Sequence, residues 1–480
     1  MSSAIVVGSG PNGLACAVAL AREGVEVTVL EAAEEIGGGA RTAELTGPGL
    51  LHDVCSATHP MAVASPFLRS LELDRFGLEW LWPEVDLAHP LDDGSAGVLL
   101  RSIDATADGL GEDGARWRRV LGAPSAGFGE LTDDLFEPIL HTPRHPIQLV
   151  RFGLRAAMPA NALVRAFRTE RARALFGGVA AHAFSPLNLP MSSSVGMALT
   201  CACHHTGWAV AKGGSGAITD ALARALESFD GRVETGVRVM SLAEVPVADA
   251  IVFDLAPRAV VEIAGDRLPD RVRRAYSRYK HGPGAFKLDL AVEGGVPWTN
   301  ENCRRAGTVH LGGTFAEIAA AERDINRGRM PERPFVLVGQ QYLADPSRSD
   351  AARDLHPVWT YAHVPAAYEG DATEAILGQI ERFAPGVRER IVATAVRAPL
   401  EFERHNPNSV GGDIITGANT PVQTLIRPRL ALDPYTTGIP GVFICSAATP
   451  PGAGAHGMNG YNAAMSALRH LGSAPRVREP

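Results

Sequence analysis

The sequence predicts an α/β fold in which helices cover a parallel β-sheet. The chain begins with a short apolar strand, a glycine-rich turn, a helical stretch and a second apolar strand, in that order. Its 51 glycines and 34 prolines supply the tight turns that connect alternating strands and helices. Its 480 residues, 46% of them hydrophobic, suffice for about three domains, or for two large domains built from separated segments.

The charge balance excludes one class of partner. The chain has 45 basic and 53 acidic residues, which gives a formal net charge of −8. A nucleic-acid-binding protein needs a basic face. We therefore expect no nucleic-acid partner.

Cysteine usage indicates a reducing compartment. The six cysteines are scattered and form no Cys-x-x-Cys, which excludes disulfide reductase chemistry of that type. The run Cys201-Ala202-Cys203-His204-His205 lacks the spacing of the usual zinc pairs, so we expect packing or pocket wall there and no metal.

The N-terminal sequence predicts a cytoplasmic location. Met1 leads almost directly into an apolar strand without a basic region, so we expect no signal peptide. No apolar run approaches the roughly 18 residues that a membrane-spanning helix needs.

The first 31 residues carry the strongest motif. An apolar strand at 4–7 precedes a complete G-x-G-x-x-G, and a helix at 14–23 that ends at Gly24 leads to a second strand at 25–30 and to Glu31. The motif residues are Gly8, Ser9, Gly10, Pro11, Asn12 and Gly13. This order of elements is typical of a Rossmann-type unit that binds the ADP half of a dinucleotide.

Each glycine of the motif, and Glu31 after it, has a physical role. Gly8 permits the tight turn, Gly10 lets backbone amides approach a pyrophosphate, and Gly13 lets the helix pack closely on the sheet. The helix N-terminus presents free N–H groups to the phosphates. Glu31 is placed to accept hydrogen bonds from the ribose hydroxyls, which disfavours NADP at this site.

The segment after Glu31 favours FAD over NAD. A glycine-rich loop and an arginine follow, and this pattern resembles the second fingerprint of the flavin monoamine oxidase and phytoene desaturase superfamily. The family pattern is Gly-Gly-Arg; here Gly39 takes the place of the arginine, and Arg41 follows two positions later. The cofactor-binding residues that this resemblance implies are Ala32, Gly38, Gly39, Ala40 and Arg41. Residues 51–60 also resemble the phytoene-desaturase-like group.

The C-terminal region is similar to the flavin loop of the same family. A strand at 441–448 runs into a Gly- and Pro-rich loop and a helix that extends to about residue 471. The resemblance implies that the helix start is aimed at the flavin ring, with Ala447, Gly457, Met458 and Asn459 as binding residues and His456 as a catalytic candidate. The loop also matches G-x-G-x-x-G at 452–457, but too little chain follows it for a second nucleotide-binding unit.

Two further residues are implied by the resemblance. Residues 232–242 predict a strand, a turn and a second strand, and Val239 matches the position that touches adenine through backbone atoms. Residues 286–292 predict a half-buried strand, and Lys287 matches the lysine that meets flavin N5 through a water. Val239 as a plain strand valine and Lys287 as a solvated strand lysine remain alternatives.

Two stretches leave their interpretation open. Trp359, Tyr361 and His363 share one strand face, which predicts either a pocket wall over the flavin or an ordinary sheet surface. Residues 104–205 predict helices, and within them 138–167 mix arginines with large aliphatic residues. That mixture predicts either a helix pair in peripheral contact with a membrane or a lid with basic solvent faces.

The chain as a whole resembles the phytoene dehydrogenase-like FAD-dependent oxidoreductases. Within this family the chain resembles the subgroup near the mitochondrial pyridine-nucleotide-disulfide-oxidoreductase-domain protein, with 310–314 and 406–413 typical of it. The resemblance implies a Rossmann-type FAD-binding domain (glutathione-reductase-like, amine-oxidase type) with a discontinuous α+β substrate domain. The FAD-binding domain would comprise roughly 1–75, 206–280 and 400–480, and the substrate or cap domain 76–205 and 281–399.

The implied activity is that of an FAD-dependent dehydrogenase or desaturase. Hydride would pass from a lipophilic small molecule to flavin N5, and dioxygen, a quinone or another acceptor would reoxidise the flavin. One alternative is a redox-neutral flavin-dependent isomerase. Another is a flavin-binding interaction or regulatory protein with little turnover.

Overall fold

The computed structural model describes residues 2–472. Its strands are β1 (Ser3–Val7), β2 (Glu26–Leu30), β3 (Thr42–Glu44), β4 (Leu51–Asp53), β5 (Trp80–Leu81), β6 (Val85–Pro90), β7 (Ala96–Leu99), β8 (Val210–Ala211), β9 (Arg232–Glu234), β10 (Ala250–Phe253), β11 (Gly284–Glu293), β12 (Ala306–Leu311), β13 (Val336–Gly339), β14 (Leu355–Val364), β15 (Ile391–Arg397) and β16 (Val442–Ile444).

Its α-helices are α1 (Pro11–Arg22), α2 (Pro60–Ala64), α3 (Pro66–Ser70), α4 (Ile103–Gly109), α5 (Gly114–Ala126), α6 (Phe128–Leu135), α7 (Pro146–Ala156), α8 (Ala160–Leu163), α9 (Glu170–Ala181), α10 (Ser194–Thr206), α11 (Gly216–Glu227), α12 (Pro257–Ala264), α13 (Asp270–Ser277), α14 (Glu301–Arg305), α15 (Phe315–Ile325), α16 (Thr373–Phe383), α17 (Pro399–His405), α18 (Pro421–Leu425) and α19 (Met458–His470).

The first of the two large sheets is parallel and has the strand order β16-β10-β1-β2-β9. Alternate residues of β1 enter two different cores, as expected of a strand that is buried on both faces. Ala4 and Val6 pack with α1, α11 and α19, whereas Ile5 and Val7 pack with α12 and α13. All five strands lie in the segments predicted for the FAD-binding domain, of which residues 473–480 lie outside the described residues.

The sequence pattern predicted that helix α1 begins at residue 14, but it begins at Pro11. Proline is favourable in the first helical turn because its missing N–H would have no partner there. The helix ends at Arg22, and Gly24 follows with φ +83°. The early start brings the free N–H groups of the first turn to the end of β1.

The predicted strand–turn–strand at 232–242 is half wrong. Strand β9 pairs with β2, but residues 235–242 contain no second strand. Val237 donates its N–H to the Glu31 carbonyl at 2.8 Å, and the Met240 N–H binds the Glu244 carboxylate at 2.7 Å. The segment is therefore extended but forms no β-ladder.

The second sheet has the order β15-β11-β14-β13-β12-β6-β7, and its strands lie in the segments predicted for the substrate domain. Neighbouring strands are antiparallel except β6 and β12. One face packs against the helices between residues 103 and 206, a region predicted to be helical, and the other against α16. The prediction of a half-buried strand at 286–292 is wrong, because β11 is buried from Gly284 to Val292.

Candidate functional site

A cavity of about 430 Å³ lies at the carboxyl end of the parallel sheet. This is the edge at which open α/β sheets bind ligands. Its walls come from the glycine-rich turn, the end of β2, the loop before β3, the segment after β9, the end of β10 and two C-terminal loops. Of the predicted cofactor-binding residues, those that line it are Gly8, Ser9, Gly10, Pro11, Asn12, Glu31, Ala32, Gly38, Gly39, Ala40, Arg41, Val239 and Ala447.

Gly13 lies behind the wall and packs against backbone. A Cβ on Gly13 would stand 2.1 Å from the Gly8 carbonyl oxygen. A Cβ on Gly10 would stand 2.7 Å from Oδ2 of Asp254. Both positions therefore require glycine for the turn to close against β10, as the motif predicts.

Glu31 is fixed before any ligand binds. Its Oε2 accepts hydrogen bonds from the Ser9 N–H at 2.9 Å and the Ser9 hydroxyl at 2.6 Å, and its Oε1 accepts from the Ala33 N–H at 2.9 Å. A carboxylate offers about four lone-pair sites. Glu31 thus keeps acceptor capacity for a hydroxyl in the cavity.

Arg41 ties its own loop together. Its Nε donates to the Ile36 carbonyl at 2.8 Å, its Nη2 donates to the Glu35 carbonyl, and Nη2 lies 3.8 Å from Oε1 of Glu31. The guanidinium holds the glycine-rich loop in the cavity wall. Its contact with a phosphate remains a prediction.

Asp254, at the end of β10, was not predicted as a site residue. Its Oδ2 accepts the Gly13 N–H at 2.9 Å and faces the glycine-rich turn. Burial raises the pKa of this carboxyl to about 7, and the charge of Glu31 adds to the rise, while the Gly13 N–H opposes it. Its place directly after a buried strand was a usable signal, because such positions face the ligand edge of the sheet.

The ionisation of Asp254 predicts a pH-dependent affinity for ADP. Below about pH 7 the carboxyl is neutral, and above it a negative charge faces the phosphate site. We expect the Kd for ADP, measured by calorimetry, to rise about tenfold between pH 6 and pH 9. The negative charge of Asp254 should weaken the binding free energy by about 1.4 kcal/mol, which corresponds to one pKa unit.

Asp254→Asn should remove this dependence, since an amide does not ionise. Asp266→Asn, at an exposed carboxylate, is the matched control and should keep it. An unchanged slope in Asp254→Asn would assign the dependence to another group.

Of the four binding residues predicted in the C-terminal region, only Ala447 lines the cavity. Helix α19 begins at Met458 after Gly457, whose φ is +68°. Asn459 donates through Nδ2 to the Thr449 carbonyl at 2.8 Å and so shapes the loop. Gly457, Met458 and Asn459 are not among the residues that line the cavity; the loop residues that do are Ala453, Gly454 and Ala455.

His456 is a packed histidine in this loop. Its Nδ1 accepts the Met458 N–H at 3.2 Å, and its ring lies against Phe136 with centroids 5.0 Å apart. Burial lowers its pKa to about 4, so the ring is neutral near pH 7. It does not line the cavity, and a catalytic role for it remains a prediction.

Lys287 is buried, so the alternative of a solvated lysine is wrong. Its Nζ pairs with Asp289, and the other oxygen of Asp289 lies 3.2 Å from Nδ1 of His52. Burial lowers the pKa of Lys287, while Asp289 opposes that shift. Burial raises the pKa of Asp289, but Lys287 and His52 outweigh it and hold the pKa below its ordinary value.

Lys287 stands one layer behind the cavity wall. Lys287 is not among the lining residues, but Cys55 is, and the charge of Lys287 acts on the Cys55 thiol. Burial raises the pKa of Cys55 to about 11, and Lys287 and Arg397 oppose that rise. Lys287 and Arg397 therefore lie close enough to Cys55 to favour its thiolate, although Asp289 balances the charge of Lys287.

Trp359, Tyr361 and His363 lie side by side on β14 and do not line the cavity. His363 binds Glu322 through Nδ1 at 2.6 Å and stacks on Phe184 with ring centroids 3.7 Å apart. The face is therefore neither the exposed sheet surface nor the wall of this cavity. It is part of the aromatic core beneath the helices.

His405 and its neighbours were missed as site residues. Residues 404–409 line the cavity, and Nε2 of His405 is buried without a hydrogen-bond partner in the described structure. Burial lowers the pKa of His405 to about 4, and Arg397 and Arg41 add to the shift. The sequence showed only that residues 406–413 are typical of the related subgroup, and it did not indicate that this segment lines the cavity.

Residues 2–472 offer neither a metal cluster nor a membrane-spanning helix. They contain no group of three or more His, Cys, Asp or Glu side chains arranged to hold a metal ion. None of their helices combines the length and the apolar character needed to cross a bilayer.

Comparison with known proteins agrees with this geometry. Residues 6–71 match the family model described as an NAD(P)-binding Rossmann-like domain. The rat pyridine nucleotide-disulfide oxidoreductase domain-containing protein 2 is 22% identical, over 98% of this chain and 93% of its own. A hydroxyneurosporene desaturase from Cereibacter sphaeroides is 26% identical, over 98% of each chain.

Solved structures share the fold over nearly the whole chain. A putrescine oxidase bound to putrescine aligns with a TM-score of 0.61 at 17% identity, over 98% of both chains. A CLA-producing fatty acid isomerase from P. acnes aligns with a TM-score of 0.57 at 14% identity, over 97% of this chain and 98% of that one. The predicted resemblance and the predicted amine-oxidase type of α/β fold are confirmed.

Proposed function

We propose that this protein is an FAD-dependent oxidoreductase of the dehydrogenase or desaturase type, acting on a hydrophobic small molecule. The observation that carries the proposal is the extent of the cavity. Its lining includes the glycine-rich turn and also Cys55, Ser56 and Ile414, so it is not confined to the nucleotide-binding motif. The relationship to a desaturase and the fold shared with an amine oxidase support this choice.

The nucleotide end fits an ADP group by its chemistry. Gly10 and the start of α1 offer backbone N–H groups to a pyrophosphate, and Glu31 offers acceptor capacity to a ribose hydroxyl. His405 lines the same cavity, and its Nε2 has no hydrogen-bond partner in the described structure. Val237 to Met240 supply extended backbone for an adenine edge.

The far end fits the ring system of a flavin. Cys55 and Ile414 contribute apolar side chains to the lining, and Lys287 and Arg397 place cationic groups near Cys55. When bound, FAD supplies the hydride acceptor, its N5 atom. The cationic groups of Lys287 and Arg397 would help to stabilise the negative charge of a flavin that has accepted a hydride.

The substrate side is apolar and aromatic. Trp359, Tyr361 and Phe184 belong to the core cluster that extends from this end of the cavity under the helices. Desaturation of a substrate there would move one hydride to the flavin and release one proton to solvent, which leaves a double bond in the product. Dioxygen, a quinone or another acceptor would complete the turnover.

The test is anaerobic reduction of the purified protein with lipophilic alkenes and amines. We expect at least one class to bleach the flavin absorption and to yield a product with one more double bond or a carbonyl. Failure of every compound to bleach it, in a protein that holds FAD, would contradict the proposal. A product with a shifted double bond and no net reduction would favour the isomerase, the alternative that the fold shared with the fatty acid isomerase supports.

Lys287→Met is expected to slow this reduction about 100-fold, as the loss of one preorganised electrostatic group does in other enzymes. Because it leaves Asp289 buried without its partner, Lys287→Met/Asp289→Asn should be measured beside it. Lys212→Met, at an exposed lysine paired with Glu79, is the control. An unchanged rate constant in both Lys287 variants, with folding intact, would remove Lys287 from the reaction.

A further inference from the structure

Residues 138–168 expose an apolar stripe within a basic segment, and we propose that this face docks on the surface of an anionic lipid bilayer. The proposal goes beyond the proposed function, since it concerns where the protein works and needs no particular reaction. We call this face, formed by the loop before α7 and the outer side of α7, the basic apolar face. It is defined by Ile139, Leu140, Arg144, Ile147, Val150, Arg151 and Leu154.

The apolar part consists of large aliphatic side chains that nothing covers within the described residues. Their exposed fractions are 56% for Ile139, 51% for Leu140, 63% for Ile147, 58% for Val150 and 70% for Leu154. Single exposed hydrophobic residues are common, but a contiguous group marks an interaction surface.

Helix α7 has two apolar sides, and only one is used in folding. Phe152 and Ala156 on the inner side are buried in the core beneath the second sheet. Ile147, Val150 and Leu154 are three and four residues apart, so they form one stripe on the outer side. A helix that is apolar on its solvent side as well needs a partner for that side.

The loop before α7 is held in place and is not a loose connection. The buried carboxylate of Asp134 accepts the Arg144 N–H at 2.7 Å and the His145 N–H at 2.8 Å, and it lies 3.0 Å from Nε2 of His141. These bonds fix the loop that carries Ile139 and Leu140 against the end of α6. The exposure of its aliphatic residues is therefore built into the fold.

The charge of this segment identifies the partner. Residues 138–168 contain five arginines (Arg144, Arg151, Arg155, Arg165 and Arg168) and no Asp or Glu, in a chain with a net charge of −8. In the described structure none of the five forms an ion pair with a carboxylate. The nearby carboxylates of Glu130 and Asp133 face His145, on the side toward α6.

An apolar stripe bordered by arginines matches a bilayer surface with negative head groups. Such helices lie in the interface with their aliphatic residues inserted and their cations at the phosphates. The 11 residues of α7 span about 16 Å, enough to lie on a bilayer and too short to cross it. A second copy is a poorer partner, because a symmetric contact would bring the same arginines face to face.

The test is co-sedimentation of the full chain with phosphatidylcholine vesicles that contain or lack phosphatidylglycerol. We expect binding to the anionic vesicles that weakens with added salt, and little binding to the neutral ones. Ile147→Ser/Val150→Ser/Leu154→Ser should weaken it about 100-fold, because three aliphatic side chains no longer enter the bilayer. Arg144→Glu/Arg151→Glu should weaken it at least about tenfold.

The control variants change exposed residues elsewhere on the protein. Val247→Ser is the control for the aliphatic stripe and Arg267→Glu for the arginines, and both should bind anionic vesicles as the parent protein does. All substituted side chains are exposed or half-buried, and melting curves check that the variants fold. Absence of vesicle binding, or equal binding by all variants, would overturn the proposal. A dimer that becomes a monomer in the triple serine variant would overturn it too and assign the face to self-association.

Discussion

Arg348→Met is expected to destabilise the protein by about 3–5 kcal/mol, the usual cost of removing one partner from a buried ion pair. Arg348 is only 1% exposed. Its Nη1 donates to Asp53 at 2.7 Å, its Nη2 to the Ala211 carbonyl at 2.7 Å, and its Nε to Asp345 at 3.2 Å. Without the guanidinium, two carboxylates remain buried beside each other.

The measurement is the free energy of unfolding in urea, together with the melting temperature. Arg353→Met is the matched control, because Arg353 is exposed and pairs with Asp350 across 3.8 Å. It should change stability by less than about 1 kcal/mol. A comparably small loss for Arg348→Met would contradict the assignment of Arg348 as the central cation of this network.

Gly13→Ala is expected to weaken binding of FAD and of ADP roughly 100-fold. The added Cβ would stand 2.1 Å from the Gly8 carbonyl oxygen, and a backbone atom cannot move aside as a flexible side chain does. The turn must shift, which misplaces the N–H groups of the phosphate site; the loss of two such hydrogen bonds costs about 3 kcal/mol.

Calorimetry with ADP measures the effect on the nucleotide end alone. Gly378→Ala is the control, because Gly378 lies within α16, where a Cβ meets no atom within 4 Å. It should bind ADP as the parent does. Unchanged affinity in Gly13→Ala would show that the turn does not form the phosphate site.

The sequence was sufficient for the parts of the fold that depend on local pattern. The order strand, glycine turn, helix, strand and Glu31 is written in consecutive residues, and each glycine has a steric reason that the structure displays. Helix α1 was placed three residues late because the pattern did not credit Pro11 as its first residue. The strand predicted after β9 is absent from the described structure because its amides bind Glu31 and Glu244 and no neighbouring strand.

Long-range partners could not be predicted in the same way. Asp53 and Arg348 are 295 positions apart, and the burial of both follows from how the two sheets meet. Lys287 appeared in the sequence as one polar residue of an alternating strand, and its pairing with Asp289 and the contact of Asp289 with His52 of β4 come from tertiary structure. His405 reaches the nucleotide end from a segment more than 350 residues after Glu31.

Charge and hydropathy identified the basic apolar face but not its structure. The mixture of arginines and aliphatic residues predicted either membrane contact or a lid. The sequence could not decide between them, because the orientation of the helix determines which residues are exposed. The structure turns Phe152 inward and Ile147, Val150 and Leu154 outward. That orientation is what makes the membrane proposal testable with exposed residues alone.

The most direct test of the account is the visible absorption spectrum of the purified protein, followed by acid release and identification of the chromophore. The account predicts a yellow protein with the bands of oxidised flavin and FAD as the released molecule. A colourless protein that cannot be reconstituted with FAD, or one that releases a nicotinamide dinucleotide instead, would contradict it.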